Sequence, residues 1–375
     1  MAGLYIHIPF CGQRCGYCDF YKSTEVTALG DYVGAVVREM EHRRDFFASR
    51  RLDTIYIGGG TPSLVAPEVL QSLLDEAGRL WDTSGVKETT LEGNPEDLTD
   101  EYLARLADTG FNRLSIGVQS FDDGLLGMMN RRHSAERARQ AVRTAERAGF
   151  GNITIDLIYG IPSMTQQQWE RSLDEAIGLG VQHLSAYHLT IEPQTAFGRM
   201  AQGGKLVAIP EGESEQQYAT LRQKLSAAGF EQYEISNFAL PGYRAVHNSA
   251  YWSGEPYLGL GPSAHSYDGE RVRSWVVGDV GRYLAEAGSE AIYEREILSD
   301  AELFNERVMT SLRRVEGLDT ALLEQRFGAE KTSHLRHLAQ RFLRTGDLVE
   351  NGTNIAIPPD KFLLSDYIIS ELFTE

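Results

Sequence analysis

The cysteines make the first chemical statement. The chain has 375 residues and three cysteines, Cys11, Cys15 and Cys18, all within one short stretch. An odd count confined to one loop does not build a disulfide framework. Three thiolates spaced C-x3-C-x2-C could hold three irons of a cubane 4Fe–4S cluster and leave the fourth iron without a protein ligand. An amino acid's carboxylate and amine could chelate that open iron. A closed tetrahedral zinc site is the alternative, with His7, Asp19 or His42 completing the set.

Other chemistry-bearing residues recur at the ends of short apolar segments. Leu4–Pro9 runs into Cys11, and Thr54–Gly58 runs into Gly58-Gly59-Gly60-Thr61-Pro62. Glu88–Glu92 ends in Glu92-Gly93-Asn94-Pro95, Arg113–Gln119 ends in Gln119-Ser120, Ile153–Tyr159 carries Asp156, and His183–Leu189 carries Tyr187 and His188. Between these segments lie stretches with apolar residues at helical spacing, such as Tyr32, Val33, Val36, Val37 and Met40. Strands alternating with helices predict a parallel sheet, and six units predict a partial (β/α)6 barrel, open on one side. In such barrels reactive groups gather at the C-terminal ends of the strands. The glycine run has neither the lysine of a P-loop nor the spacing of a dinucleotide fingerprint, so a tight turn is its plain alternative. Asp156, between Ile155 and Leu157, reads as a buried carboxylate in need of a partner, which ribose hydroxyls would supply.

The rhythm breaks after residue 190. A helix is predicted over Ser214–Ala228 and a strand over Arg271–Val277, with a segment rich in His, Asn, Tyr and Trp between them. Helices are predicted over Ala301–Arg313, Thr320–Phe327, Lys331–Thr345 and Lys361–Phe373, with a hairpin at Asn351-Gly352. The reading is α/β, with a barrel unit over residues 1–290 and a small winged-helix-like α+β unit over 291–375. Lys and Arg number 36 against 53 Asp and Glu, a net charge of −17, which argues against nucleic-acid or anionic-membrane binding. No apolar run is long enough to span a bilayer and the first ten residues do not read as a signal peptide, so a cytoplasmic protein is expected. Arg139, Arg143 and Arg147 are read as a solvated helix face.

The loop, with Tyr17 before its last cysteine, resembles the signature of radical S-adenosylmethionine (SAM) proteins, in which SAM chelates the unique iron. The stretches Tyr5-Ile6-His7-Ile8-Pro9-Phe10-Cys11, Gly58–Ser63, Arg113–Phe121, Arg131-Arg132-His133 and Asp156–Pro162 look like the branch containing oxygen-independent coproporphyrinogen III oxidase. The resemblance spans nearly the whole chain. It implies that Cys11, Cys15 and Cys18 hold the 4Fe–4S cluster. It further implies that Gly59, Gly60, Thr61, Glu92, Gln119, Arg131 and Asp156 contact SAM, with Tyr5 and Tyr17 near it. Surface or core roles are the alternatives, core packing above all for the two tyrosines.

One departure separates this chain from the oxidase pattern. Where the oxidase loop reaches a fourth cysteine, two residues after the third, this chain has Phe20. The sister family of haem chaperones lacks that cysteine too, and its His-Asn-x-x-Tyr-Trp stretch appears here as His247-Asn248-Ser249-Ala250-Tyr251-Trp252. An imidazole can ligate haem iron, and Tyr251 and Trp252 offer flat surface to a porphyrin. A satisfied core histidine is the alternative, and His188 and His265 are the other candidate ligands. The resemblance implies haem as cargo and haem-accepting proteins, membrane-associated respiratory enzymes among them, as partners. An electron donor is implied for the cluster, and coproporphyrinogen oxidase activity is not expected. Two rivals are that oxidase and a radical-SAM modifying enzyme with another substrate.

Overall fold

In the computed structural model, which describes residues 1–374, the six apolar segments form six parallel strands. These are β1 (Gly3–Ile8), β2 (Thr54–Gly59), β3 (Glu88–Gly93), β4 (Arg113–Gln119), β5 (Ile153–Tyr159) and β6 (His183–His188). They pair in chain order. The period of two divides each strand's labour. In β1, Leu4, Ile6 and Ile8 are fully buried in the apolar core, whereas Tyr5 lines the interior of the barrel. The crossover helices begin where the sequence supplies caps: Thr99 and Ser134 accept backbone N–H bonds, and Thr165 forms a capping box with Gln168.

The sheet continues past both edges of this barrel. Beyond β6 lie the antiparallel β7 (Glu231–Gln232) and β8 (Asn237–Ala239). On the other side β9 (Tyr257–Leu260) pairs parallel with β1 and is followed by β10 (His265–Tyr267), β11 (Val272–Val276) and β12 (Tyr293–Ile297). The twelve-stranded order is β12-β11-β10-β9-β1-β2-β3-β4-β5-β6-β8-β7, an open arrangement in which the six β/α units form the centre. β9 escapes a reading by periodicity because Tyr257-Leu258-Gly259-Leu260 is too short to show alternation.

The C-terminal part packs helices Asp300–Leu312, Thr320–Phe327 and Ala329–Thr345 around a small sheet of β13 (Leu318–Asp319), β14 (Val349–Asn351) and β15 (Asn354–Ala356). The hairpin turns at Gly352, whose φ of +63° favours a residue without Cβ. β12 pairs with β11, so residues 293–297 lie in the large sheet although the division expected at 290/291 gives them to the smaller unit. The single helix expected over Lys361–Phe373 is replaced by a 3-10 stretch, Pro359–Leu364, followed by the short helix Ser365–Ser370. Pro358 and Pro359 occupy the N-cap and first position, where proline fits a helix start, and regular α winding begins only at Ser365. Among the described residues no helix is long and apolar enough to cross a membrane.

Candidate functional site

The loop after β1 is pinned by the backbone. Cys11 N–H donates to Ser23 O at 2.9 Å, Ser23 N–H to Pro9 O at 2.6 Å, and Gly16 N–H to Met129 O at 3.0 Å. Gly16 is required at its position, since a Cβ there would sit 2.8 Å from the Phe197 ring. Cys11 is buried, Cys15 and Cys18 are half-buried, and all three thiols face one cavity of about 470 Å³. Phe20 is 72% exposed beside them.

The candidates for a closed zinc site are engaged elsewhere. His7 has Nδ1 3.0 Å from the Tyr5 hydroxyl and Nε2 3.2 Å from Tyr21 O. His42 bonds Glu290 at 2.8 Å, and Asp19 accepts from Gln194. Among the described residues no three His, Cys, Asp or Glu side chains converge on a single-ion site. Three thiols spread around one cavity suit a cluster, each of whose irons takes one thiolate, better than one ion that takes all three.

Glycines form the next wall. A Cβ on Gly60 would lie 2.7 Å from Phe10 O, 2.9 Å from Ile8 O and 3.0 Å from Cys11 Sγ. Gly59 has φ +113°, and its N–H donates to Glu92 Oε2 at 3.0 Å. Glu92 also accepts from the Tyr56 hydroxyl at 2.6 Å, yet burial raises its pKa to about 7. Asp156, within 3.5 Å of Ser115 Oγ, is raised by burial to about 6. Arg131 donates to Asn94 Oδ1 at 2.7 Å, to Gly117 O at 2.8 Å and to Cys15 Sγ at 3.4 Å, while its Nε is buried without a partner. Gln119 sits on a β-bulge with φ +66°, which turns it out of the β4 ladder. Gly59, Gly60, Thr61, Glu92, Gln119, Arg131, Asp156 and Tyr17 therefore line one cavity with the three cysteines. Among its groups are the buried carboxylates Glu92 and Asp156, the Arg131 guanidinium and a backbone edge at Gly59–Thr61, a set suited to a zwitterionic ligand with ribose hydroxyls.

Tyr5 lies apart from this set. It lines a second, larger cavity of about 690 Å³ together with Tyr56, His247, Tyr251, Trp252 and Tyr257. Glu92 and Tyr187 line both cavities. His247 belongs to the helix Val246–Ser253, whose start lies against Gly3, Thr54 and Glu88, at the N-terminal ends of β1, β2 and β3, away from the cysteine loop that follows β1. Glu88, the first residue of β3, accepts the N–H groups of Val246 at 2.8 Å and His247 at 3.0 Å. Its carboxylate also faces the buried Arg113, 3.8 Å away. His247 is 2% exposed, with Nδ1 2.8 Å from Thr54 Oγ1 and Nε2 2.8 Å from the Tyr251 hydroxyl. Its ring stacks on Tyr56, and burial lowers its pKa to about 3, so it is neutral. Of the other candidate histidines, His188 lines the smaller cavity and bonds Ser214 at 3.0 Å, while His265 stacks on Trp275. Arg139 and Arg147 pair with Glu175 and Asp100 on the outside, as a solvated face would.

Sequence reasoning passed over Tyr56, Glu88, Arg113 and Glu234. Each sits on or near a strand at an inward position. The available signal was polar or aromatic residues alternating with Ile, Leu and Val inside segments otherwise read as core.

Comparison with known proteins agrees with this geometry. Residues 5–176 match the model of the radical SAM superfamily, and residues 298–361 match the HemN C-terminal domain. The structure resembles coproporphyrinogen III oxidase (HemN) from Escherichia coli with a TM-score of 0.84 over 100% of this chain and 90% of that one, at 24% identity, a likeness of fold. A protein of Bacillus subtilis named heme chaperone HemW is 37% identical over 88% of this chain and 87% of its own. Another of that name in Lactococcus lactis is 34% identical over 96% and 97%. The chain belongs to the HemW family, within the radical SAM superfamily.

Proposed function

We propose that this protein is a cytoplasmic haem carrier. It holds a 4Fe–4S cluster on Cys11, Cys15 and Cys18, binds SAM in the smaller cavity, and takes up haem in the larger one for delivery to acceptor proteins. The observation that carries the reading is the larger cavity: about 690 Å³, walled by Tyr56, Tyr251, Trp252 and Tyr257, and sharing Glu92 and Tyr187 with the cavity before the thiols. Naming of the relatives as haem chaperones supports it.

When bound, the reduced cluster supplies one electron to the sulfonium of SAM. The chain's own residues hold the ligands. Gly59, Gly60 and Thr61 give the SAM amino group a backbone edge beside the thiols. Arg131, fixed by Asn94 and Gly117, presents its guanidinium to the carboxylate. Asp156 accepts from ribose hydroxyls, and Glu92 accepts from the ligand on the side facing the second cavity. Tyr17 and Gln119 complete the wall. In the larger cavity Tyr251 and Trp252 provide the flat surface, and neutral His247 positions Tyr251 through Nε2. Ligation of iron by His247 requires Nε2 to leave that hydroxyl. Acceptors, membrane-associated respiratory enzymes among them, and an electron donor complete the proposal.

Oxidative decarboxylation of coproporphyrinogen III is the second reading, favoured by the shared fold. Phe20 in place of the fourth cysteine stands against it. The test is an anaerobic haem titration of cluster-reconstituted protein beside a coproporphyrinogen turnover assay, with His247→Ala in parallel. Saturable haem binding without turnover is expected, weakened in the variant. Efficient turnover without haem affinity overturns the proposal.

A further inference from the structure

The larger cavity has a basic end that the aromatic wall does not explain. Arg307, on helix Asp300–Leu312, and Arg326, on helix Thr320–Phe327, both line it, next to Arg273 from β11. Three carboxylates, Glu92, Glu234 and Glu306, line the cavity too. Glu306 neutralises Arg273 at 2.7 Å, Glu255 pairs with the chain N-terminus at 2.6 Å, and Glu316 pairs with Arg244 at 2.7 Å. Among the described residues no carboxylate forms an ion pair with Arg307 or Arg326. Arg307 reaches only the backbone carbonyl of Ser253, at 3.2 Å, and Arg273 keeps a buried Nε with no partner. Burial, with the guanidinium groups of Arg326 and Arg314 nearby, holds the Arg307 pKa below the usual arginine value.

This arrangement is unusual for this chain. With 53 acidic against 36 basic residues, counter-charges are abundant. Arg307, half-buried, and Arg326, exposed beside Tyr267, are left without a carboxylate partner at the cavity wall, and an entering anion would supply one. Tyr251, Trp252 and Tyr257 line the same cavity, and Arg307 bonds the residue that follows Trp252. The cavity therefore combines flat aromatic surface with cations able to meet carboxylates.

We propose that Arg307 and Arg326 bind the two propionates of a dicarboxylate tetrapyrrole whose ring lies against Tyr251 and Trp252. The C-terminal domain thus supplies both contacts to the carboxylates. The inference rests on the haem reading above and adds to it the orientation of the ligand and the role of the second domain.

The test uses the full chain and two probes, haem and haem dimethyl ester, whose propionates carry no charge. Wild type is expected to prefer haem over the ester by about tenfold or more, since two charge-assisted contacts are at stake. The double variant Arg307→Gln/Arg326→Gln is expected to bind haem about tenfold or more weakly and the ester as wild type does. Trp252→Ala is expected to weaken both probes. Equal affinity of wild type for haem and ester overturns the inference, and so does a folded double variant with unchanged haem affinity. If Trp252→Ala leaves both probes unaffected, or neither probe saturates wild type, the haem reading of this cavity fails and the inference falls with it. Should the double variant not fold, the haem-to-ester ratio of wild type decides alone.

Discussion

Gly60→Ala is a small change with a large expected effect. The new methyl carbon would stand 2.7 Å from Phe10 O and 2.9 Å from Ile8 O, both backbone atoms, and 3.0 Å from Cys11 Sγ. The Gly60 N–H also donates to Ile8 O at 2.7 Å, so the two strands cannot separate without losing that bond. A side chain could swing away from such a contact, but a pinned backbone cannot, and overpacking of this kind costs about 1–3 kcal/mol. The strain falls on Pro9-Phe10-Cys11, the segment that delivers the first thiol. Gly30→Ala is the control: nothing lies within 4 Å of its Cβ, and at the second residue of the helix Leu29–His42 alanine should leave stability unchanged or slightly raised. The assay is iron and sulfide content after anaerobic reconstitution, with thermal unfolding and SAM binding on the same samples. Gly60→Ala should lose iron and SAM affinity and melt earlier, and Gly30→Ala should keep all three. A Gly60→Ala protein with full iron and wild-type SAM affinity would falsify the placement of this glycine against the cluster loop.

Other perturbations reach other parts of the site. Glu88→Ala leaves Arg113 buried without its partner and frees the first N–H groups of helix Val246–Ser253; a loss of about 3–5 kcal/mol in denaturant unfolding is expected, together with loss of haem binding. Arg131→Gln should weaken SAM binding about tenfold or more while iron content holds, read by calorimetry and iron assay. Burial raises Glu92 to about 7 and Asp156 to about 6, and a cationic sulfonium ligand prefers their ionised forms. Protonation then competes with binding as pH falls, so SAM affinity should drop by up to about tenfold per pH unit per group between about pH 7.5 and 5.5. Glu92→Gln should remove the upper part of that dependence and leave an inflection near about pH 6, and an unchanged profile in the variant would contradict the role of Glu92.

The barrel was legible because β1, β2, β4 and β5 are short runs rich in Ile, Leu or Val closed by glycine, proline or a polar residue, and β3 and β6 recur at the same alternation with helices. Arg113–Gln119 and Ile153–Tyr159 coincide with the observed strands to the residue. The cysteine loop and its cavity were legible for a different reason: chemistry at strand ends is local in sequence. The larger cavity was not. It is assembled from residues near 5, 56, 92, 187, 251 and 307, and only the folded chain shows that Arg307 of the second domain lines the same cavity as Tyr251 and Trp252. The His247–Trp252 segment announced its chemistry but not its address, since nothing in a helix of eight residues says at which end of a barrel it lies. The seam between the two parts was also hidden, because β12 joins the large sheet by pairing rather than by any compositional signal.

The central claim is that haem occupies the cavity lined by Trp252 and Arg307. Anomalous diffraction from crystals of haem-loaded protein tests it most directly, because iron reports its own position. An iron peak is expected inside that cavity, beside Tyr251, separate from the cluster irons at Cys11, Cys15 and Cys18. A haem peak before the cysteine loop, or on the outer surface, would contradict it.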